Sequence, residues 1–380
     1  MNLIRTATLT FPSLSPAPRV VVAGGHSAGH IEPMMNFADA LGRLADPAGI
    51  TALGTVRGLD TTLIPARGYP LELIPPAPLP RELNGDLLRT PGRLRDSVRA
   101  AGAVLDRVRA EAVVGFGGYV AMAAYLAAHR RGLPIVVHEA NARPGVANRL
   151  AARLTTHVFT AAPGVRLAHA TAVGIPLRQA IAGLDRAALR DAARQRFGLR
   201  PDGPVLLVTG GSQGARTIND AVSGAAPALR AAGVQVLHIT GARHAAEVPD
   251  GDPPYVIVPY VDEMRYAYAA ADFVLCRSGA MTCAELAAVG LPAAYVPLPL
   301  RGGEQRLNAE PVVAAGGGLL VEDAGLGPAW LATTLIPVLT DPGRVAAMAA
   351  RAAAAGAPDG GDVLARHVLT AVAGRRAAAR

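Results

Sequence analysis

The chain of 380 residues contains no lysine: every side-chain cation apart from a charged histidine is arginine. Two chemistries fall away at once, because a Walker A loop needs a lysine on its phosphates and Schiff-base catalysis needs a lysine amine. Arginine keeps its charge at any working pH and offers a planar fork suited to phosphate. Aromatic residues make up only 4%. The cores must therefore be built from Ala, Val and Leu. Two cysteines, Cys276 and Cys283, are too few for a disulfide framework and suit a reducing compartment. No run reaches the roughly 18–20 apolar residues that span a bilayer, so any membrane contact is expected to be peripheral. Residues 1–18 carry Arg5 with Ser and Pro and lack a small-residue cleavage site; they read as a loose N-terminal extension and not as a signal peptide.

What is present is a long, apolar, basic chain. Hydrophobic residues are 51% and the formal net charge is +8. The length suits two domains. The arginines are scattered, with no zinc-finger spacing and no aromatic-basic RNA motif, which argues against nucleic acid as a partner. Arg19–Ala23 is a short β-branched run of the kind found in buried parallel strands. It leads into Gly24-Gly25-His26-Ser27-Ala28-Gly29-His30 and a helical pattern to about Leu44. Strand-like runs at 50–53, 71–74, 112–114 and 135–137 alternate with helical stretches, including 91–110 and 120–131. The pattern then restarts. A strand at 204–209 runs into Gly210-Gly211-Ser212-Gln213-Gly214 and a helix, followed by strands near 234–239, 255–258, 273–275 and 293–296. Strand–helix alternation predicts an α/β fold with two doubly wound parallel sheets. The expected divisions are a domain over residues 19–178 and another over 179–354, followed by an Ala/Arg-rich tail of helical propensity.

A glycine turn between strand and helix lets backbone amides approach a phosphate. Two such turns at matching positions weigh more than one. Neither fits G-x-G-x-x-G, and the second strands end in Leu53-Gly54-Thr55 and Ile239-Thr240-Gly241, without the carboxylate that a dinucleotide site needs. An NAD oxidoreductase is thereby disfavoured. The densest polar segment is Arg277-Ser278-Gly279-Ala280-Met281-Thr282-Cys283-Ala284-Glu285, where Glu285 could accept two vicinal ribose hydroxyls. The plainer alternative makes Ser278 an N-cap and Glu285 a dipole partner. Nearby, Gly302-Gly303-Glu304-Gln305-Arg306-Leu307-Asn308 supplies paired donors and acceptors suited to sugar hydroxyls. In the first half, Gly115-Phe116-Gly117-Gly118-Tyr119 and His138-Glu139-Ala140-Asn141 end strands on the edge that also carries Gly24–His30.

Together these segments resemble the MurG family of UDP-N-acetylglucosamine transferases, which convert lipid I to lipid II in peptidoglycan synthesis. Seven motifs occur in the family's order from about Arg19 to Asp323: AGG…AGHIEP, GFGGY, HEANARPGVANR, VGIPLR, GGSQGAR, RSGAMTCAEL and GEQRLNA. The resemblance implies a GT-B fold and UDP-GlcNAc as donor, seated mainly on the second domain. It implies that Glu285 binds the ribose, that Val261 offers backbone groups to uracil and that Arg178 lies beside the uridine. Ser212 and the amides of Ala280, Met281 and Thr282 would hold the diphosphate. Gln305 would meet N-acetylglucosamine hydroxyls, with Asn308 close by. Ser27, Ala28, Gly29, His30 and Asn141 would line the opposite wall, and Gly117, Gly118 and Tyr119 the acceptor side. His26-Ser27 departs from the family's more usual Gly-Thr at this point.

The implied reaction inverts the anomeric centre as the muramyl C4 hydroxyl attacks C1 of the donor. Helix N-termini and loop amides could stabilise the departing diphosphate without a metal or other cofactor. Asp250-Gly251-Asp252 matches the Asp-x-Asp of metal-dependent transferases, but its flanking prolines mark a surface turn. As base, His30 comes first and Glu139 second. The partners expected are UDP-GlcNAc, lipid I and an anionic membrane at the cytoplasmic face. The Leu79-Pro80-Arg81…Leu87-Leu88-Arg89 stretch is the candidate apolar patch ringed by arginine. The other readings weighed are a GT-B transferase with another lipid-linked acceptor and a sugar-nucleotide-binding protein without transferase activity.

Overall fold

The computed structural model describes residues 17–25, 27–45, 49–78, 86–242, 247–299 and 302–379. His26 and most of the expected membrane-facing stretch, including the side chains of residues 79–89, lie outside them.

The first domain runs β1 (Val20–Ala23), α1 (Ala28–Leu44), β2 (Ile50–Gly54), α2 (Asp60–Ala66), β3 (Leu71–Leu73), α3 (Asp86–Arg107), β4 (Ala112–Gly115), α4 (Gly118–His129), β5 (Ile135–Glu139), α5 (Val146–Ala151), β6 (Val158–Thr160) and β7 (Ala170–Ala172). Its seven parallel strands lie in the order β3-β2-β1-β4-β5-β6-β7. The second domain runs α6 (Gln179–Ala182), α7 (Arg186–Arg196), β8 (Val205–Thr209), α8 (Arg216–Gly224), α9 (Ala226–Ala231), β9 (Gln235–Ile239), β10 (Tyr255–Val258), α10 (Met264–Ala270), β11 (Phe273–Cys276), α11 (Ala280–Ala288), β12 (Ala293–Tyr295), α12 (Glu304–Ala314) and β13 (Gly318–Leu320). Its six strands follow the order β10-β9-β8-β11-β12-β13. A helical run from α13 (Pro328–Trp330) through a π-turn to α14 (Ile336–Leu339) leads to α15 (Pro342–Ala355) and α16 (Gly361–Ala378).

The central strands are buried end to end because helices cover both faces, so they read as unbroken Val/Leu/Ala runs rather than as alternations. Three strands that composition did not announce, β6, β7 and β13, are each three residues long, and β7 is exposed throughout. In the second domain the buried guanidinium of Arg194 donates to Asp272 Oδ2 at 2.8 Å and to the carbonyls of Ala270, Pro201 and Gly203. A buried charge is tolerable only when saturated in this way.

The chain crosses between the domains twice, side by side. Residues 173–177 lead out of the first sheet and residues 358–361 lead back. Gly360 N donates to Ile175 O at 3.2 Å, and Leu177 N donates to Asp359 Oδ1 at 3.0 Å. Helix α16 then packs Leu364, Ala365, Val368, Leu369 and Val372 into the core formed by β1, α1 and their neighbours. Arg376 clamps Glu111 with both carboxylate oxygens engaged, at 2.7 and 3.0 Å.

Gly174 sits at the crossing with φ +90°, and a Cβ there would lie 1.8 Å from the Pro358 carbonyl oxygen. Gly174→Ala must strain the backbone and separate the two crossings. It is expected to cost about 3 kcal/mol or more of stability by chemical denaturation. A loss below about 1 kcal/mol would show that the crossing is not held closely.

Candidate functional site

Each sheet reverses its strand order at one point, between β1 and β4 in the first and between β8 and β11 in the second. In open α/β sheets such a reversal leaves a crevice beyond the carboxyl ends of the strands, where ligands bind. The four loops that open there are the glycine-rich and Ser278–Glu285 segments singled out in the sequence.

On the first wall, Gly24 and Gly25 leave β1 where no side chain fits. A Cβ on Gly25 would lie 2.8 Å from Asp60 Oδ2 and 2.9 Å from Val120. Asp60 itself is fully buried, accepting from Thr55 N at 2.8 Å, and Thr55 Oγ1 also meets the Tyr119 hydroxyl at 3.2 Å. Sequence reading missed this aspartate, because it comes from the start of α2 and not from a strand end. It has no exposed surface. Ser27 precedes α1, and its Oγ lies 3.1 Å from His30 Nδ1. The His30 ring rests on the Gly117-Gly118 turn: a Cβ at Gly117 would be 3.2 Å from Cδ2 and Nε2, and both glycines have positive φ. Ser27, Ala28, Gly29, His30, Gly117 and Gly118 are thus brought together. The Tyr119 hydroxyl is directed to Thr55.

The third loop of this wall hangs on Glu139. Its buried carboxylate accepts from Asn141 N and Gly145 N, both at 2.9 Å, and from Asn148 Nδ2 at 3.0 Å. Burial raises its pKa against these hydrogen bonds, which favour the charged form. Both oxygens are engaged in holding the 141–148 loop, which explains why this polar residue stands at a strand end. The adjoining His138 is buried, with Nε2 donating to Gly174 O at 2.8 Å, and burial pulls its pKa down to about 4.

On the second wall, Gly210, Gly211 and Gly214 shape the turn after β8, with Ser212 exposed at its tip. Helix α11 starts at Ala280 with Gly279 at its N-cap, so Ala280, Met281 and Thr282 supply its first-turn amides. Ser278 does not cap this helix; its hydroxyl is buried without a protein partner. Glu285 Oε2 accepts from the Tyr268 hydroxyl at 2.7 Å, and burial raises the Glu285 pKa while Tyr268 and Arg178 oppose the shift. Gln305 Oε1 accepts from Leu298 N at 2.9 Å. Val261 follows β10, half-buried, and the preceding Tyr260 is 53% exposed and within electrostatic reach of Arg178. Tyr260 was not anticipated; an aromatic next to a segment already singled out was the available signal.

The walls touch. Ala142 N donates to Asn308 Oδ1 at 3.0 Å, and Asn308 Nδ2 lies 3.4 Å from Asn141 Oδ1. Arg178 Nη2 donates to Glu32 Oε2 at 2.7 Å, placing Arg178 between Glu32 of α1 and Glu285 of α11. Asp250-Gly251-Asp252 is an exposed turn away from this cleft, and Asp252 pairs with Arg200. Among the described residues no group of three His, Cys, Asp or Glu side chains could hold a metal ion.

The glycosyltransferase family 28 N-terminal domain matches residues 20–160, and the family 28 C-terminal domain matches residues 205–364. A Streptomyces avermitilis protein named UDP-N-acetylglucosamine–N-acetylmuramyl-(pentapeptide) pyrophosphoryl-undecaprenol N-acetylglucosamine transferase is 56% identical over 361 residues, covering 94% of this chain and 99% of the relative. A Mycobacterium sp. (strain KMS) protein of the same name is 58% identical over 352 residues, covering 92% and 93%. Among solved structures, Acinetobacter baumannii MurG superimposes with a TM-score of 0.75 at 25% identity, covering 93% of this chain and all of that one. The UDP-GlcNAc 2-epimerase of Neisseria meningitidis shares the fold, with a TM-score of 0.63 at 15% identity over 92% of this chain and 99% of that one.

His138 gives a test of this geometry. An unfolded histidine takes up a proton near pH 6.5, whereas the buried one does so near 4. Its contribution is intact above pH 6.5 and falls by an amount on the order of 3 kcal/mol as the pH drops toward 4. Imidazole 15N shifts should report a neutral Nε2–H tautomer at pH 5. A ring already charged at pH 6 would contradict the burial that disfavours its charged form.

Proposed function

The chain belongs to glycosyltransferase family 28, and on that footing we propose that it transfers N-acetylglucosamine from UDP-GlcNAc to the C4 hydroxyl of lipid I, yielding lipid II for peptidoglycan synthesis. The observation that carries this reading is the cleft. It sets a half-buried carboxylate with an arginine (Glu285, Arg178) against a histidine cradled on glycines (His30), with Asn308 hydrogen-bonded across to Ala142. Relatives named for this activity match nearly the whole chain at 56–58% identity.

In this reading the uridine lies between Arg178 and Glu285, whose free lone pairs accept the ribose hydroxyls. Tyr260 and the Val261 backbone take the uracil. Ser212 and the amides of Ala280, Met281 and Thr282 neutralise the diphosphate, and they do so most strongly once UDP carries the departing charge. The Gln305 amide and Asn308 meet the sugar, with Ser27, Ala28, Gly29 and Asn141 facing it. The reaction breaks the C1–O bond to UDP, forms C1–O to the acceptor C4 oxygen, and passes the hydroxyl proton to His30. That role requires the tautomer in which Nδ1–H donates to Ser27 Oγ and the Nε2 lone pair is the base. Glu139 acts through the loop it holds. Gly117 and Gly118 let the acceptor approach the backbone closely, and Tyr119 braces their turn.

The acceptor is membrane-anchored, so the protein works peripherally at the cytoplasmic face, where its product feeds cell-wall growth, cell shape and division. No helix among the described residues is long and apolar enough to cross a membrane. The Leu79–Arg89 stretch is the proposed contact with anionic lipid.

The purified protein should release UDP from UDP-GlcNAc in EDTA only when a short-chain lipid I analogue is present. His30→Ala should lower kcat by about 100-fold or more while leaving the donor KM within a few-fold. An unchanged kcat would remove His30 from the chemistry. Donor binding without acceptor-dependent release would indicate another acceptor or a binding protein.

A further inference from the structure

A second cavity, of about 430 Å³, opens beside the Asn141–Asn308 contact, between the 143–149 segment of the first domain and Gly302–Glu304 of the second. Arg143 and Arg149 both line it, against a single carboxylate, Glu304. Both arginines are exposed. Arg143 spends one donor on the Gly302 carbonyl, at 3.1 Å across the domain boundary. Arg149 pairs with no carboxylate among the described residues. Val146, 52% exposed, adds an apolar surface at the same mouth.

The segment carrying these arginines, a loop at Arg143 and helix α5 at Arg149, is not a slack surface connection. Glu139, buried beneath it, fixes Asn141 and Gly145 by their amides and Asn148 by its side chain. A buried carboxylate is costly to desolvate, and here it holds in place a segment whose outward face is basic. Guanidinium forks bind phosphate and carboxylate oxygens in pairs, and a prearranged fork loses less freedom on doing so. In the transferase reading the donor's diphosphate already has its own seat at Ser212 and α11. The acceptor carries anions of its own, a pyrophosphate and the carboxylates of its peptide, and needs another.

Resting on that reading, we propose that the Arg143/Arg149 cavity is the subsite for an anionic group of the lipid-linked acceptor. Arg149 contacts it directly, and Arg143 contacts it while holding the second domain through Gly302. The subsite lies next to the cleft, so an anion seated there holds the acceptor's far end while its sugar hydroxyl enters beside His30.

The test is steady-state kinetics with the full-length protein and a short-chain lipid I analogue, together with calorimetric titration of the same analogue into UDP-loaded protein. Arg149→Ala should raise the acceptor KM tenfold or more and weaken acceptor binding equally, with the donor KM unchanged. Arg149→Lys, which keeps the charge and loses the fork, should recover part of both. Raising salt should weaken acceptor binding to the wild type more than to Arg149→Ala. If the Arg149→Ala effect persists with an analogue lacking the peptide, the pyrophosphate is the group bound. If it disappears with that analogue, the peptide carboxylates are. Acceptor KM and binding unchanged in Arg149→Ala and in the Arg143→Ala/Arg149→Ala pair, with the wild type active, would overturn the subsite alone. A wild type that neither binds the analogue nor releases UDP would overturn the transferase reading and the subsite together.

Discussion

Everything in the cleft depends on the close approach of two chain crossings at Gly174 and Gly360. No side chain fits between them, since a Cβ on either would fall within 2.5 Å of the other segment's backbone. Because the outgoing and returning segments touch, the two domains share a close-packed joint and not merely a tether. Asn36 reinforces it from α1 with a buried hydrogen bond, its Nδ2 donating to Pro176 O at 3.0 Å. His138 does the same from β5 through Gly174 O. The joint is therefore wired to the strand that carries Glu139 and to the helix that carries His30. Helix α16 completes the arrangement by burying its apolar face in the first domain's core rather than in the second's.

From that joint the two sheets present their carboxyl edges to each other, and the chemistry follows from what such edges offer. Strand ends followed at once by helices expose amides that no intrahelical bond uses, and these favour anions without any metal or lysine. The lysine-free composition is consistent with this economy: positive charge in the cleft comes from backbone dipoles and from arginines, of which Arg178 is tied to a carboxylate. Arg178 shows the pattern. It is half-buried, held by Glu32 at 2.7 Å, and close to Glu285, so the protein itself compensates its charge.

The sequence made the fold legible wherever strands were long and central. The β1 and β8 runs, each followed by glycine turns, could be read as parallel strands because burial on both faces makes them continuously apolar. The edge strands β7 and β13 escaped detection because three residues with little burial leave no pattern to read. Glu285 and the first turn of α11 were visible as a polar cluster, and their depth was not: the Tyr268 contact comes from a helix seventeen positions earlier in the chain. Glu139 is the instructive case. A carboxylate at the end of a strand looks chemical in a one-dimensional reading. Its Oε2 partners, Gly145 N and Asn148 Nδ2, lie six and nine residues on, Asn141 N takes Oε1, and only the folded loop reveals that both oxygens are taken. Asp60 is the converse. It stands in an unremarkable segment and yet fills the space behind Gly25.

The contacts that close the cleft differ in kind from those that hold the domains. Inside each domain the cores are apolar, one on each face of the sheet. Across the cleft the closing contacts are polar and partly exposed: Arg178 to Glu32, Ala142 to Asn308, Arg143 to Gly302. Each such bond contributes about 1 kcal/mol or less when water can replace it. A cleft closed by a few of them is held less firmly than the close-packed crossing at Gly174. Substrate entry and product release then require only that polar partners be exchanged for water. A ligand that engages Arg178 or Arg143 competes for the same donors that hold the walls together. With Arg178 and Arg143 binding as proposed, the groups that bind and the groups that close the site are in part the same atoms, and occupancy is coupled to closure through the arginines themselves.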